Sequence, residues 1–293
     1  IQIILSGDFY QLSPVKNPNY CFESPNFDQL IHEVIELDFI FRQADREFCL
    51  ALNEIRIGEV TERTKELFGS CIGKEFFGDI KPTELYPLKA DVENFNDEEL
   101  WKLASENNPI REIASLDEII EKPPSKKKIP DKTLKEWQAN FDKNCMAPKV
   151  LTLAVNAQVM LIKNLDVEAG LCNGSRGIIT GFSPAGQPIV KFRNGQILYM
   201  QTQVWGMKLN ETTKIRRTQY PIILGYATTI HKAQGMNIDC VRMDLGSRIF
   251  SSGQTYTAIS RCRTLEGLSI IEIDWEQVHA DKRVKEFYTK HKK

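Results

Sequence analysis

Five apolar or half-apolar runs follow one another over residues 220–273: YPIILGYA, TTIHKAQG, CVRMDL, GQTYTAISRC and GLSIIEI. Read as strand, short helix or turn, strand, helix and strand, they make a parallel βαβαβ unit, because parallel strands need a crossover and a helix normally provides it. That alternation commits the chain to the α/β class. The loops at the carboxyl ends of its strands carry Thr229, His231, Lys232 and Arg261. Polar chemistry is therefore predicted along one edge of one sheet, the edge where ligands bind in open α/β folds.

The opening of the chain continues the pattern. Ile1, Ile3, Ile4 and Leu5 read as a buried strand, with Asp8 and Gln11 in the turn after it. Phe27, Leu30, Ile31 and Val34 follow Ser24 and Pro25 at helical spacing, and a short strand is expected over 35–40, ending in Phe41-Arg42-Gln43. ADREFCLALNEIRIGEV repeats the helical spacing with Phe48, Leu52 and Ile55, and Gly58 suits its end. Periodicity weakens over 83–148, where Leu100, Trp101 and Leu103 mark one helix after Asn96-Asp97 and KPPSKKKIPDK reads as an exposed connector. Beyond Val150 short strands take over. Asn194-Gly195 and residues 184–186 are hairpin turns, and the hairpins over 177–205 predict a small β-barrel, with an additional open sheet as the alternative.

Composition narrows the partners. With 293 residues, 42% hydrophobic and 26% charged, the chain has material for two domains and a sizeable core. No apolar stretch approaches a membrane span and no basic, apolar leader opens it, so a soluble protein is expected; the absent initial methionine points to a fragment. Seven scattered cysteines without a Cys-x-x-Cys pair argue against a zinc ribbon or a disulfide framework and for a reducing compartment. Four dispersed histidines offer no metal-ligand spacing, and no metal ligand is assigned. The formal net charge of −1 leaves nucleic-acid binding to local patches, of which 126–128, 208–217 and Lys290, Lys292 and Lys293 are the candidates; each also reads as a solvated loop or tail.

A nucleoside triphosphatase needs a neutral amide to hold the attacking water and planar, permanently charged donors to stabilise the transferring phosphoryl group. Gln11 supplies such an amide, and Arg42 and Arg261 such donors. Singly, each is more often only a turn residue or a surface ion pair. In context they gain meaning. GDFYQLSPV resembles the third motif of superfamily-one helicases, FRQADREFCLALNEIRIG the fourth, GYATTIHKAQGMNID the fifth and GQTYTAISRCRTLEGL the sixth. Their order and spacing resemble the Pif-type DNA helicases, the RecD-like branch of superfamily one B. KPTELYPLKADVENFN, KNCMAPKVLTLAVNAQVMLIKNLDVEAGLCNGSRGIITGF and RRTQYPIILGYA extend the likeness over almost the whole chain, most weakly over 98–142.

The resemblance implies RecA-like parallel sheets with flanking helices and a small β-barrel inserted in the second RecA-like domain. Residues 1–40 would end the first RecA-like domain, and 41–293 would be the second, with 83–148 a connector or insertion and the barrel at about 170–210. It implies an ATP-dependent helicase that moves 5′ to 3′ on single-stranded DNA, using ATP and Mg²⁺. Gln11 would sense the γ-phosphate, Arg42 and Arg261 would be arginine fingers, and Gln234 and Gly235 would approach the nucleotide. Thr229, His231 and Lys232 would touch the DNA backbone, which suits a hydroxyl, an imidazole and an ammonium in one turn. Partners would be single-stranded and forked duplex DNA, bound by a monomer within the cell: in the nucleus or mitochondrion, or in a bacterial cytoplasm or virus.

Two family elements are not found in the sequence. No Gly-x-x-x-x-Gly-Lys-Ser/Thr loop occurs, and the nearest imitations of the magnesium-binding acidic pair, Asp117-Glu118 and Asp274, are not assigned to metal. In the family both lie upstream of the motif that opens this chain, so a C-terminal portion, inactive alone, is expected. Ser13-Pro14-Val15 stands where the family usually has Pro-Pro-Val. The alternative is a nucleic-acid-binding or partner-binding remnant without ATPase activity.

Overall fold

A computed structural model describes residues 3–13, 17, 19–37, 39–76, 80–121 and 130–291. The chain divides into two compact units, one of residues 1–92 with 227–293 and one of 93–226. Among the described residues no helix is long and apolar enough to cross a membrane.

The first unit is built on a four-stranded, wholly parallel sheet in the order Ala227–Thr229, Thr83–Tyr86, Val241–Leu245, Leu268–Ile273. Leu85, Met243, Leu245 and Ile270 are fully buried in it. The helix Arg46–Ile57 forms as its sequence predicts. Asp45 caps it by accepting the Phe48 N–H at 2.8 Å, and Phe48, Leu52 and Ile55 bury one face. It ends at Gly58, whose φ of 70° and whose approach to Ala280, 2.8 Å from where a Cβ would stand, both require glycine.

Two features of this sheet differ from the sequence reading. Thr83–Tyr86, assigned to the connector, is an inner strand lying between the first and second strands of the βαβαβ unit. Four residues are too few to show a period, and both neighbours come from the far end of the chain. YPIILGYA, read as one strand, breaks at Gly225: Ala227–Thr229 joins the parallel sheet, while Ile222–Leu224 pairs antiparallel with Gln158–Leu161 in the second unit. A Cβ at Gly225 would lie 2.8 Å from the Val159 backbone, so only glycine passes there.

Among the described residues, no strand forms at the start or over 35–40. Ile3, Ile4 and Leu5 are 75%, 81% and 66% exposed, and Ile35 and Leu37 are likewise in solvent; Ile1 lies outside the described residues. A strand is stable only when neighbours take up its backbone hydrogen bonds, and none of the described residues pairs with these segments. The helix expected over 27–34 shrinks to the single turn Phe27–Leu30, with Asn26 rather than Ser24 at its N-cap, because so short a helix has little stability of its own. Phe9, Tyr10 and Phe22 instead pack on the C-terminal helix Lys282–His291: Tyr10 stacks on Tyr288 at 4.8 Å, and Phe9 and Phe22 meet Phe287. The sequence reading drew a domain boundary at 40/41; these contacts place both sides of it in one unit.

The second unit is mainly antiparallel. Its five-stranded sheet runs Ile222–Leu224, Gln158–Leu161, Arg176–Phe182, Pro188–Phe192, Ile197–Tyr199, over a core of Leu153, Val159, Leu161, Ile179, Val190, Phe192 and Met200. Both expected hairpin turns are present, with Gly186 and Gly195 at φ 82° and 87°. Among the described residues no ladder joins the outermost strands of this sheet, and the expected barrel is not confirmed. Gln203–Lys208 pairs with Thr213–Gln219, which also pairs with Leu116–Glu121. Arg111–Ala114 pairs with Val150–Leu153, and Asp131–Asn144 is helical, so much of 83–148 is regular structure; residues 122–129 lie outside the described residues. The helix expected after Asn96-Asp97 begins earlier, at Lys89.

The candidate basic patch over 208–217 loses a member to the core. Arg217 is 1% exposed, donates to both oxygens of Asp117 at 2.8 and 2.6 Å, and binds Asp142 and the Ala147 carbonyl. Of the other patches, Lys290 pairs with Asp28, while 126–128 and Lys292 and Lys293 lie outside the described residues.

Candidate active site

All eight predicted site residues fall in the first unit. The turn that carries Gln11 is organised by Asp8. Its carboxylate accepts the Tyr10 N–H at 3.1 Å and lies 3.5 Å from Gln11 Nε2, and its carbonyl accepts the Gln11 N–H. Arg56 donates to both Asp8 oxygens, at 3.2 and 3.5 Å. Burial opposes the Arg56 charge, but Asp8, with Tyr256 and Glu36, outweighs it and holds the guanidinium above its ordinary pKa. Gln234 Nε2 donates to Gln11 Oε1 at 3.2 Å, bringing two of the predicted residues together. Gly235 follows at φ 85°, with open space where a Cβ would stand.

Gly253 begins the helix Gln254–Ile259 at φ 72° and lies directly against this turn, a Cβ there falling 2.9 Å from the Gln11 carbonyl oxygen. Beyond the helix comes Arg261, 1% exposed, donating from Nε to the Thr257 carbonyl at 2.9 Å and from Nη2 to Ser260 Oγ at 2.8 Å. Arg42 Nη1 donates to the Ser260 carbonyl at 3.0 Å, and buried Gln43 donates to the carbonyls of Ser260 and Cys262 at 3.2 and 2.7 Å. Residues 42–43 thus clamp the backbone on both sides of Arg261. Neither arginine forms an ion pair among the described residues. Burial, reinforced by the charge of Arg42, pulls the Arg261 pKa down to about 10, and Asp8 offsets this only in part. Burial also lowers Arg42 and, with Asp8, pushes Tyr256 up to about 12. Guanidinium groups stay charged even when buried, so this corner keeps two cations whose acceptors are all neutral.

The predicted DNA-contacting turn lies at the end of the strand Ala227–Thr229. Thr229 is buried, and its hydroxyl oxygen accepts the Lys232 N–H at 3.1 Å, capping the one-turn helix Ile230–Ala233. His231 is half-buried, its ring lies near-parallel to Phe250 at 6.4 Å, and burial lowers its pKa. Lys232 is exposed. The structure therefore groups Gln11 with Gln234 and Arg42 with Arg261, with Asp8 and Gly253 bridging the two groups.

Arg56, Gln43, Tyr256 and Gly253 were not singled out in the sequence. Gln43, adjacent to Arg42, and Gly253, at the start of a helical pattern, carried a legible signal; Arg56 and Tyr256 read as ordinary helix residues. Among the described residues no three His, Cys, Asp or Glu side chains gather as a metal site. Asp117 is taken by Arg217, and Asp274 accepts the Glu276 N–H at 3.0 Å to cap a short turn. A cleft of about 1450 Å³, lined by Asp8, Arg56 and Tyr256 together with apolar residues such as Ile4, Leu30 and Leu50, includes none of the eight.

Similar sequences and a similar fold occur in known proteins. The family described as DNA helicase Pif1, 2B domain, matches residues 136–182. The crystal structure of Pif1 helicase from Candida albicans is similar over 97% of this chain and 67% of that one, with a TM-score of 0.73 and 30% identity. The chain belongs to the Pif1 helicase family. A Bacteroides Pif1 in complex with ADP-AlF4 is also similar, at a TM-score of 0.74 and 27% identity over 97% of this chain and 65% of that one. The ATP-dependent DNA helicase PIF1 of Danio rerio is 37% identical over 303 residues, covering 100% of this chain and 44% of the relative. That of Rattus norvegicus is 35% identical over 295 residues, covering 98% and 43%. The chain thus spans less than half the length of these curated relatives. Its parallel sheet with flanking helices is the RecA-like arrangement of the Pif1 family, and the 2B-domain match falls wholly in the second unit.

Proposed function

We propose that this chain carries the phosphate-sensing and strand-gripping part of an ATP-dependent DNA helicase that moves 5′ to 3′ on single-stranded DNA, and that it hydrolyses no ATP alone. The observation that carries this reading is Arg261: a buried guanidinium, beside a second one, with no carboxylate paired to either. A γ-phosphate supplies the anion this corner lacks, and in phosphoryl transfer such charge is most valuable as it builds on the transferring group. Gln11, tethered by Asp8 and Gln234, offers the neutral amide for the attacking water. Gly235 leaves room for a nucleotide to approach the backbone. The family resemblance implies Mg²⁺ as the partner of ATP, and no residue of this chain is assigned to it.

Lys232 and His231 contact the DNA backbone, with Thr229 shaping their turn as its cap. Bacteroides Pif1 bound to single-stranded DNA and Pif1 helicases at forked duplex DNA, both similar to this chain, support these partners, bound here by a monomer. Hydrolysis would loosen the closed nucleotide site and advance the grip along the strand.

The test joins this chain to a preceding half that carries a phosphate loop and measures DNA-stimulated ATP hydrolysis. Arg261→Ala should lower the rate by about 10³-fold or more while leaving single-stranded DNA binding intact. An unchanged rate would remove the arginine-finger role, and an inactive joined protein would favour the binding-remnant reading.

A further inference from the structure

We propose that Phe250 is a nucleobase-stacking residue, forming with His231 an aromatic shelf beside the turn that grips the DNA backbone. The proposal rests on the reading of 229–232 as that grip. Phe250 is 61% exposed although its neighbour Ile249 is buried. Single exposed aromatics are ordinary on protein surfaces. This one is held out by a built loop: the Ile249 N–H donates to Gly246 O, the Phe250 N–H to Gln254 Oε1 at 3.1 Å, and the Gln254 N–H to Ser251 O. Gln254 itself is fully buried. The ring is thus fixed in solvent by the fold rather than left there by slack, and the apolar transfer it forgoes is available to a ligand.

One side of the ring is engaged with the His231 imidazole, the planes only 18° apart. Burial keeps that imidazole toward its neutral form, so no charge intervenes between the rings. Exposed Lys232 follows His231 directly, and Arg248, two positions before Phe250, pairs with Asp91, so basic residues flank both rings in sequence. Aromatic faces interleaved with basic side chains are the composition of sites for single-stranded nucleic acid. Every base presents a π-face, so such a contact tolerates any sequence while requiring that the base be unpaired and accessible. A phosphate contact from Lys232 makes neither demand. The shelf would therefore distinguish an unwound strand from a duplex whose bases are stacked on one another.

The experiment uses the whole chain and fluorescence anisotropy with two labelled strands of equal length: oligothymidylate, and an abasic strand with the same phosphates and no bases. The chain should bind oligothymidylate roughly tenfold more tightly than the abasic strand, the scale of one lost base stack. Phe250→Ala should bind both strands at the abasic level, Phe250→Trp should keep the preference, and Lys232→Ala should weaken both equally. Equal binding of the two strands by the unaltered chain, or a preference that survives Phe250→Ala, would overturn the shelf and leave the backbone grip standing. Failure of the unaltered chain to bind either strand would overturn the grip and the shelf together.

Discussion

Arg217 and Arg261 are each 1% exposed, one in each unit, and they are buried in opposite ways. Arg217 has two carboxylates, a backbone carbonyl and the Phe141 ring around it, and its pKa is driven up, chiefly by its hydrogen bond to Asp117. Arg261 has a carbonyl and a hydroxyl, with a second guanidinium nearby, and its pKa is driven down. Burying a charge is costly wherever it happens, and the two sites differ in whether the fold repays that cost. Arg217 is complete within the chain and holds a three-stranded sheet to the helix Asp131–Asn144. Arg261 meets only neutral acceptors, and the reading proposed above would supply it with an anion. Burial alone therefore does not separate the two arginines; the charge of their partners does.

The contrast is broken most severely by removing the repaid arginine. Arg217→Ala leaves Asp117 and Asp142 facing a void, and should destabilise the second unit by about 3–5 kcal/mol, read as a fall in the urea midpoint. Arg261→Met keeps volume and removes an uncompensated cation, so the opposite sign is expected: unfolding should become harder by about 1 kcal/mol or more. Loss of stability in this variant would show that Arg261 is satisfied within the fold after all.

The smallest effect is acid-dependent. Hydrogen bonding from Arg217 holds the Asp117 carboxyl below its ordinary pKa of 3.8. A carboxylate depressed on folding contributes stability that is complete above the unfolded value and is lost as pH falls from there through the folded value. The unaltered chain should therefore lose stability steeply below pH 3.8, and Asp117→Asn should start lower and show a shallower acid limb, as urea midpoints across that range would reveal. The change stays smaller than that of Arg217→Ala, because Asp142 still pairs with the guanidinium. Equal acid slopes in the two proteins would remove Asp117 from the clamp.

Much of the architecture was legible where the signal is local. The cap at Asp45, the apolar face of Phe48, Leu52 and Ile55 and the stop at Gly58 specify one helix through contacts within a turn or two. Asn194-Gly195 specifies a hairpin because its backbone geometry needs only the two strands it joins. The motif order likewise pointed to the family. Nothing local marked Thr83–Tyr86 as an inner strand, since its partners lie some 140 residues away in sequence or more. Nothing local showed that the apolar residues 3–5 lack partners among the described residues.

For this protein the sequence by itself determined the α/β alternation, its turns and the chemical identity of the site residues, all properties of neighbours along the chain. Only the tertiary structure decided which arginine is repaid. Asp117 lies a hundred positions from Arg217 and still reaches it, whereas no carboxylate among the described residues comes within ion-pair distance of Arg261. Charge compensation acts through space, over a few ångströms that sequence distance does not measure.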